Sequence, residues 1–477
     1  MEKENITQQM RVTKIDIHKK NDIFSKIDNY CWLSKNLYNR CNYLIRQLYI
    51  ITRKIRNKED VTEEQKKFVD NIHKWVDDYN MKVKNGQTKG KKKMKLSQKW
   101  YGEYFEKETL NKYILDEIDY KALQSQSAQS VLGRVHNTWI SYFNSLTDYY
   151  KNPNKYKSKP KMPNYKNTKN GRYMFILTNL QVKIINNILF FTQKDLKKYT
   201  FRVPLENYKR GHTKDCDLRE VRFIPNNDIY TMEIVHKIND KPQLKEKKGR
   251  IIGIDIGVDR LATVCNSIGV KPFAINGKPL KSINKLWNKQ ISAYKSKLKK
   301  VNNKYSSKKY LKMCRDRNNK MNTYIHQSAS YIIKWCVKHN IDTIVIGKND
   351  GWKQKCNVGK ETQTFVQIPF ASFIEKIKYR AEALGIEVIL QEESYTSKSS
   401  FIDEDYIPVF KKDDNNANFS GSRKLRGLYI TKDGIKIHAD LNGAYNILRK
   451  YDNSFTYNND YLHPYIVMPN KYNLQYK

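Results

Sequence analysis

The sequence predicts a multidomain α+β protein: a helical block near the start, a run of short strands after it, and a closing α/β domain. Three observations carry this. The 477 residues suit two to four domains. Apolar residues recur at three- and four-residue spacing through 21–80 and again through 110–150, the pattern of amphipathic helices. Short apolar runs separated by turn signals fill 174–236, and from 251 onward strand and helix patterns alternate.

In order, residues 10–17 alternate as a lone strand. The stripe that follows comprises Trp32, Leu33, Leu37, Tyr38, Cys41, Leu44 and Leu48, with Lys35, Arg40, Arg46, Arg53 and Lys54 lying off it and free for phosphate. The Lys- and Gly-rich run 82–99 reads as a loop. A second helical block, 110–150, carries Ala122, Leu123, Ser127, Val131, Val135, Trp139 and Phe143. A Pro-punctuated basic linker follows at 153–167. Short strands at 174–177, 180–185, 188–191, 201–204, 220–224 and 230–236 suggest a small barrel, which the strand at 10–17 would complete. Residues 18–170 are then a helical insertion in a β-domain. After a charged linker at 237–248 come strands at 251–256, 260–265 and 270–275 and long helices over 280–340. A strand at 342–347, a helix at 369–384 and a strand at 386–392 come next. An irregular basic segment at 396–430, a hairpin strand at 427–437 and a final helix opening at Asp440 close the domain. Three strands, a helix, then alternating strand and helix is the ribonuclease H-like α/β pattern.

Composition narrows the partners. Lys and Arg number 90 against 48 acids, a formal charge of +42 spread along the whole chain. A field of that size implies a polyanionic partner. With 39% hydrophobic residues, 34 Tyr and 7 Trp the chain still supports packed cores. Rings that stack on bases among cations that neutralise phosphate suit a large RNA better than a short DNA site. Composition alone leaves open a structural RNA binder of ribosomal type. The seven cysteines include no CxxC pair, so neither a zinc ribbon nor a disulfide framework is expected, and their scatter fits a reducing cytosol. No apolar run of about 18 residues and no leader occurs, which predicts a cytoplasmic, nucleoid-associated protein without a membrane span.

The candidate chemistry is acidic. In IIGIDIGVDR, Asp255 stands inside a buried β-run, where an unpaired carboxylate is costly and a divalent cation would resolve the cost; a surface Asp closing a turn is the alternative. Asp440, in HADLNGAYNILRK, opens the final helix, and is either an N-cap or an acid brought against the first strand. In the ribonuclease H-like arrangement Asp255 and Asp440 would share two Mg²⁺ ions over a scissile phosphate. A third acid is expected where strand 342–347 ends, and there the chain has Gly347. The nearest acids are Asp350 and the pair Glu392–Glu393 ending the neighbouring strand. Adjacent strand ends lie about 5 Å apart, and successive strand residues face opposite sides, so one of the pair points inward. A solvated strand end is the alternative.

With these acids in hand, the chain resembles the TnpB (OrfB) proteins of insertion sequences, RNA-guided DNA nucleases related to compact type V CRISPR effectors. The resemblance rests on GIDIGVDRLATV, NGKPLKSINKLWNK, RNNKMNTYIHQSASYII, TIVIGKNDGWKQ, IPFASFIEKIKYRAEALGIEVILQEESYTSKSSF, FSGSRKLRGLY and HADLNGAYNIL, an ordered series across 250–450. It implies a β-barrel wedge domain (1–20 and 171–240) with an inserted α-helical recognition domain (21–170). A RuvC-type nuclease follows (249–395 and a final helix at 438–455), with a target-nucleic-acid-binding insert (396–437) and a tail (456–477). It also implies cleavage of double-stranded DNA guided by a bound RNA, after recognition of a short flanking duplex motif. The protein would act as a monomer on its RNA, a dimer not being excluded. Asp255 would be the first RuvC acid and Asp440 the last, with Glu392 or Glu393 replacing the middle one, all holding two Mg²⁺ ions. Lys398, Lys411, Lys412, Arg423, Lys424 and Arg426 of the insert would guide a DNA strand. Arg317, Lys320, Trp352 and Lys353, in the matching stretches, join them as expected nucleic-acid contacts. Residues near 30–55 and 120–140 are the candidates for reading the flanking duplex. The family's zinc cysteines after Tyr395–Thr396–Ser397 are replaced by Ser400 and Asp403, so no zinc is expected. Two rivals stand: a nuclease-dead RNA-guided repressor, which Gly347 favours, and a strand-joining transposase.

Overall fold

The computed structural model describes residues 9–88, 92–203, 212–213, 216–238, 243–302, 306–348, 366–409, 418–456, 470–472 and 474. The chain divides into two compact units, 1–239 and 240–477. Among the described residues no helix is long and apolar enough to cross a membrane.

In the first unit, β1 (Gln9–Ile17) leads into the helices α1 (Phe24–Arg56) and α2 (Glu63–Lys84), the hairpin β2 (Leu96–Lys99) and β3 (Gly102–Phe105), and α3 (Lys107–Tyr113), α4 (Ile118–Leu123) and α5 (Ser125–Lys151). Short strands follow: β4 (Phe175–Thr178), β5 (Val182–Ile185), β6 (Ile188–Phe191), β7 (Thr200–Arg202), β8 (His212–Thr213), β9 (Cys216–Asn226) and β10 (Ile229–Ile238). The stripe of α1 packs as its spacing predicts, with Leu33, Leu37, Cys41, Leu44 and Leu48 buried. Trp139 of α5 joins it and donates its indole N–H to Asn42 Oδ1 at 2.9 Å.

Three expectations fail here. Lys35 and Arg46 are not free for phosphate. Lys35 is buried and donates to the Thr168 carbonyl at 2.8 Å, and Arg46 donates to that of Pro163 at 2.9 Å. The supposed linker is therefore strapped back onto α1 at Pro163, and the chain just beyond it at Thr168. The Lys-rich run ends in a strand rather than a loop, because Leu96–Lys99 pairs with Gly102–Phe105 across a two-residue turn at Trp100 and Tyr101, both at positive φ. That is the hairpin geometry Asn-Gly usually signals, and no such signal is present. Finally, the short strands close no barrel among the described residues. They form an antiparallel sheet in the order β1-β10-β9-β4, with β8 also on β9, and a separate sheet β5-β6-β7.

The second unit holds one six-stranded sheet. Its strands are β11 (Ile251–Asp255), β12 (Arg260–Asn266), β13 (Phe273–Asn276), β14 (Thr343–Gly347), β15 (Glu387–Gln391) and β19 (Asn470–Tyr472), in the order β15-β14-β11-β12-β13-β19. The first three form an antiparallel meander, while β14 lies parallel to β11 and β15 parallel to β14. The supposed tail thus contributes β19, parallel to β13. The helices are α6 (Lys278–Asn302), α7 (Lys308–Lys338), α8 (Phe370–Glu382) and α9 (Ala439–Tyr451), and a small sheet is made by β16 (Ser422–Leu425), β17 (Leu428–Ile430) and β18 (Lys436–His438).

Strand parity divides the six-stranded sheet into two faces. Ile252, Ile254, Ile344 and Ile346 join the core formed with Tyr324, Ile325 and Ile332 of α7 and Phe373 and Ile377 of α8. Ile251 and Val345 face the other way, into a core with Ala444, Tyr445, Ile447 and Leu448 of α9. Gly253 lies on this second face, and α9 runs so close that a Cβ there would meet the Ala444 carbonyl at 2.7 Å and Cys265 Sγ at 2.8 Å. Neither atom can give way cheaply. Gly253→Ala is therefore expected to cost about 1–3 kcal/mol, read as a lower thermal midpoint; an unchanged midpoint would show that α9 does not seat against β11 as described.

Candidate active site

The close approach over Gly253 determines which side chains meet at the end of the sheet. Asp255 has the parity of Ile251 and Gly253, so its carboxyl faces α9. On α9, Asp440, Gly443 and Ile447 recur at helical spacing and share a face. Gly443 sits directly on the acid: a Cβ there would lie 3.1 Å from Asp255 Oδ2. Gly347 pairs with Gln391 across β14 and β15. Glu393 has the parity of Gln391 and turns to the same face, where its Oε2 is 2.6 Å from the point a Cβ of Gly347 would occupy. Glu392 turns away, ion-paired with Lys450 and accepting from the Ser394 N–H at 2.7 Å. The structure thus brings Asp255, Glu393 and Asp440 together and leaves Glu392 outside.

The electrostatics follow from this grouping. Burial, then the neighbouring charges of Glu393 and Asp440, push the Asp255 carboxyl well above the usual carboxylate range, and Arg423 opposes this only in part. Burial and the charge of Glu392 push Glu393 up to about 7. For Glu392 burial also acts upward, but bonds from Lys450 and Ser394 outweigh it and hold the carboxyl low. Asp440 is in the first turn of α9 and is not its cap; His438 is, its Nδ1 accepting the Asp440 N–H at 3.2 Å. The Asp440 carboxylate meets Arg260 at 3.3 Å and Arg423 at 3.4 Å. Nothing in the sequence singles out Arg260 or Lys450, whose partners lie 180 and 58 residues away.

As the side chains stand, no three His, Cys, Asp or Glu among the described residues form a group that could hold a metal ion, and Asp440 is engaged by Arg260 and Arg423. The donor set nonetheless suits a hard divalent cation: it offers carboxylate oxygens only, and the repulsion that raises Asp255 and Glu393 is what a cation would relieve.

The basic residues are distributed unevenly. Arg423, Lys424 and Arg426 lie on or beside the turn joining β16 and β17, with Arg426 reaching Asp259 at 2.9 Å. Lys398 is exposed, its ammonium 5.8 Å over the Tyr395 ring, and Lys320 is exposed on α7. Arg317 does not present a free guanidinium. It donates to Asn284 and Asn318, reaches the Gln367 carbonyl at 3.2 Å and stacks over Trp287. Asp350, Trp352, Lys353, Lys411 and Lys412 lie outside the described residues. In the first unit, an open cleft of about 550 Å³ is lined by Gln126, Gln129, Ser130, Arg134 and Asn137 of α5 and by Asn179.

Two family models match parts of the second half of the chain. The "Probable transposase" model OrfB_IS605 matches residues 233–353, and the "Cas12f1-like, TNB domain" model matches 370–447. The TnpB-like protein ORF457 of Acidianus two-tailed virus is 24% identical over 360 residues, covering 69% of this chain and 74% of the viral protein. Among solved structures, a Cas12f1–sgRNA–target DNA complex aligns at 14% identity and TM-score 0.30, over 92% of this chain and 98% of that one. Alicyclobacillus acidoterrestris C2c1 with single-guide RNA aligns at 10% identity and TM-score 0.35, over 91% and 70%. By sequence the chain is thus similar to the OrfB_IS605 and Cas12f1-like models and to a TnpB-like viral protein.

A carboxyl whose folded-state pKa is raised binds protons more tightly in the folded protein than in the unfolded chain. Its ionisation therefore costs stability as pH rises from the ordinary carboxylate value, about 4, to the raised one. In chelator-treated protein at pH 8, Asp255→Asn is expected to raise the thermal midpoint, by roughly 2–4 °C if about 1 kcal/mol is relieved, and the gain should vanish towards pH 4. A lower midpoint at pH 8 would mean that the acids do not repel one another.

Proposed function

We propose that the protein is an RNA-guided DNA endonuclease whose ribonuclease H-like second unit is a RuvC-type site using Asp255, Glu393 and Asp440. One observation carries this reading: the carboxylate of Glu393 fills the space beside Gly347, where the sheet otherwise lacks an acid. The replacement argues against the nuclease-dead alternative, which rested on Gly347.

The three carboxylates would hold Mg²⁺, which when bound supplies Lewis-acid stabilisation of charge on the phosphate oxygens. Arg423 and Arg260, which neutralise Asp440 in the free protein, stand where a DNA phosphate would arrive and suit its charge. Loading of the site would require their release from Asp440. Lys450 keeps Glu392 away from the inward face, so that one acid of the pair serves. Zinc has no thiolate set after Tyr395–Thr396–Ser397 and takes no part in this reading.

Guide RNA and target DNA are the partners that the net charge of +42 suits; both are named for the Cas12f1 structure and a guide RNA for the C2c1 structure. Sequence would be read by base pairing and a short flanking motif by the protein. The α5 cleft is where that motif would be read, because Gln and Asn match adenine edges and Arg matches guanine.

The test is Mg²⁺-dependent cleavage of a matched target by the protein with its co-purified RNA. Glu393→Gln is expected to reduce the rate by about 10²-fold or more, on the scale of losing one preorganised charge-stabilising group. Glu392→Gln should retain cleavage near the wild-type rate. Full activity in Glu393→Gln would remove it from the site, and target binding without cleavage by the wild type would favour the repressor.

A further inference from the structure

The segment where the resemblance places zinc thiolates does definite work in this chain. Residues 399–405 run between α9 and the small sheet of β16, β17 and β18. On one side the segment is tied to α9. Asn442 accepts from the Phe401 N–H at 2.9 Å and donates to the Ser399 carbonyl at 2.8 Å; Asn446 donates to the carbonyls of Thr396 and Ser399, and Arg449 to that of Asp405. On the other side two carboxylates reach the hairpin. Asp405 accepts from the Ser420 hydroxyl at 2.6 Å, the Ser420 N–H at 3.1 Å and the Ser400 N–H at 2.7 Å. Asp403 accepts from the Lys432 N–H at 3.1 Å and lies 3.0 Å from the Ser420 hydroxyl.

Ser420 precedes β16 by two residues and Lys432 follows β17 by two, so the carboxylates grip both ends of the hairpin that carries Arg423. The helix on the opposite side of the segment carries Asp440. The segment therefore braces the hairpin against α9 from a second side, the first being β18, which pairs with β17 and runs directly into the helix. These carboxylate oxygens are met by backbone N–H groups and a hydroxyl, so they need no cation to be satisfied.

We propose that Asp403, Asp405 and Ser420 form a metal-free clamp that positions the Arg423 hairpin over the carboxylate site, the mechanical work of a zinc ribbon done by charge-assisted hydrogen bonds. The proposal rests on the endonuclease reading for its catalytic consequence, but not for its geometry. Asp403 and Asp405 are positioning residues: they act through Ser420 and the hairpin backbone.

The test compares wild type, Asp405→Ala, Asp405→Asn and Ser420→Ala as full chains with bound RNA. Zinc content is measured by elemental mass spectrometry. Amide exchange is followed in peptides containing Ser420 and Lys432, and target binding is separated from cleavage at saturating target. The clamp predicts no stoichiometric zinc and cleavage unaffected by dialysis against a zinc-selective chelator. Asp405→Ala should exchange about tenfold faster at the hairpin ends and cleave about tenfold more slowly, the scale of one lost charge-assisted hydrogen bond. Its affinity for RNA should hold. Asp405→Asn, which keeps an oxygen acceptor, should recover much of both losses. Ser420→Ala removes only a hydroxyl and supplies the graded readout if Asp405→Ala does not fold. Stoichiometric zinc in the wild type, or wild-type exchange in both Asp405→Ala and Ser420→Ala, would overturn the clamp. Altered exchange with wild-type cleavage would overturn its positioning role. A wild type that never cleaves would refute the endonuclease reading and leave the exchange result to decide the clamp.

Discussion

Like charges held together at the end of a buried sheet are the constraint on which the second unit depends. Asp255 faces α9 because strand parity puts it there, and α9 comes close because Gly253 offers no side chain. The same approach that places Asp440 near Asp255 also makes the ionised site unfavourable in the absence of a counter-charge. The free protein answers with Arg260 and Arg423 on Asp440 and leaves Asp255 and Glu393 with raised affinities for protons. On the proposed reading such a site suits hard cations, since binding them would relieve this repulsion.

The relation between Gly347 and Glu393 extends the same logic. An acid on β14 and an inward acid after β15 cannot both be accommodated, because the carboxylate of one occupies the first side-chain position of the other. The pocket near Gly347 is closed further by Ile447 Cδ1, 2.5 Å from where a Cβ would stand. The absent acid and the relocated acid are therefore one structural feature, in which a neighbouring strand supplies what the central strand lacks. The second acid of the pair is kept out by Lys450, so the pair contributes one ligand and one ion pair. The basic hairpin completes the surround, and its seating depends on the carboxylates of Asp403 and Asp405.

Much of this was legible in the residues, and the failures have physical reasons. The β-branched run before Asp255 marks a buried strand, and the Glu392–Glu393 pair beside a strand ending in Gly347 marks the candidate third acid. Parity alone limits that pair to one inward member; which one follows from the pairing of Gly347 with Gln391, a register the sequence does not reveal. The hairpin at 96–105 escaped because its turn residues, Trp100 and Tyr101, carry none of the usual preference for positive φ. Lys35 looked like a surface cation because composition cannot reveal that the carbonyl of Thr168 returns to meet it. Arg317 looked like a phosphate contact for the same reason, its partners Asn284 and Gln367 being remote in the chain. The barrel expectation counted strands correctly in kind but could not see that β5, β6 and β7 pair only with one another. Ser400 and Asp403 read as missing cysteines and Asp405 carried no signal; the partners Ser420 and Lys432 become visible only once the segment is folded against the hairpin.

The most direct measurement is a titration of the metal-free protein with Mn²⁺, a hard cation with affinity for Mg²⁺ sites, followed by electron paramagnetic resonance. Saturable binding that Asp255→Asn and Glu393→Gln each weaken, with Glu392→Gln binding as the wild type does, is the predicted result. Equal binding by the wild type and Glu393→Gln would contradict the assignment of these carboxylates to one site.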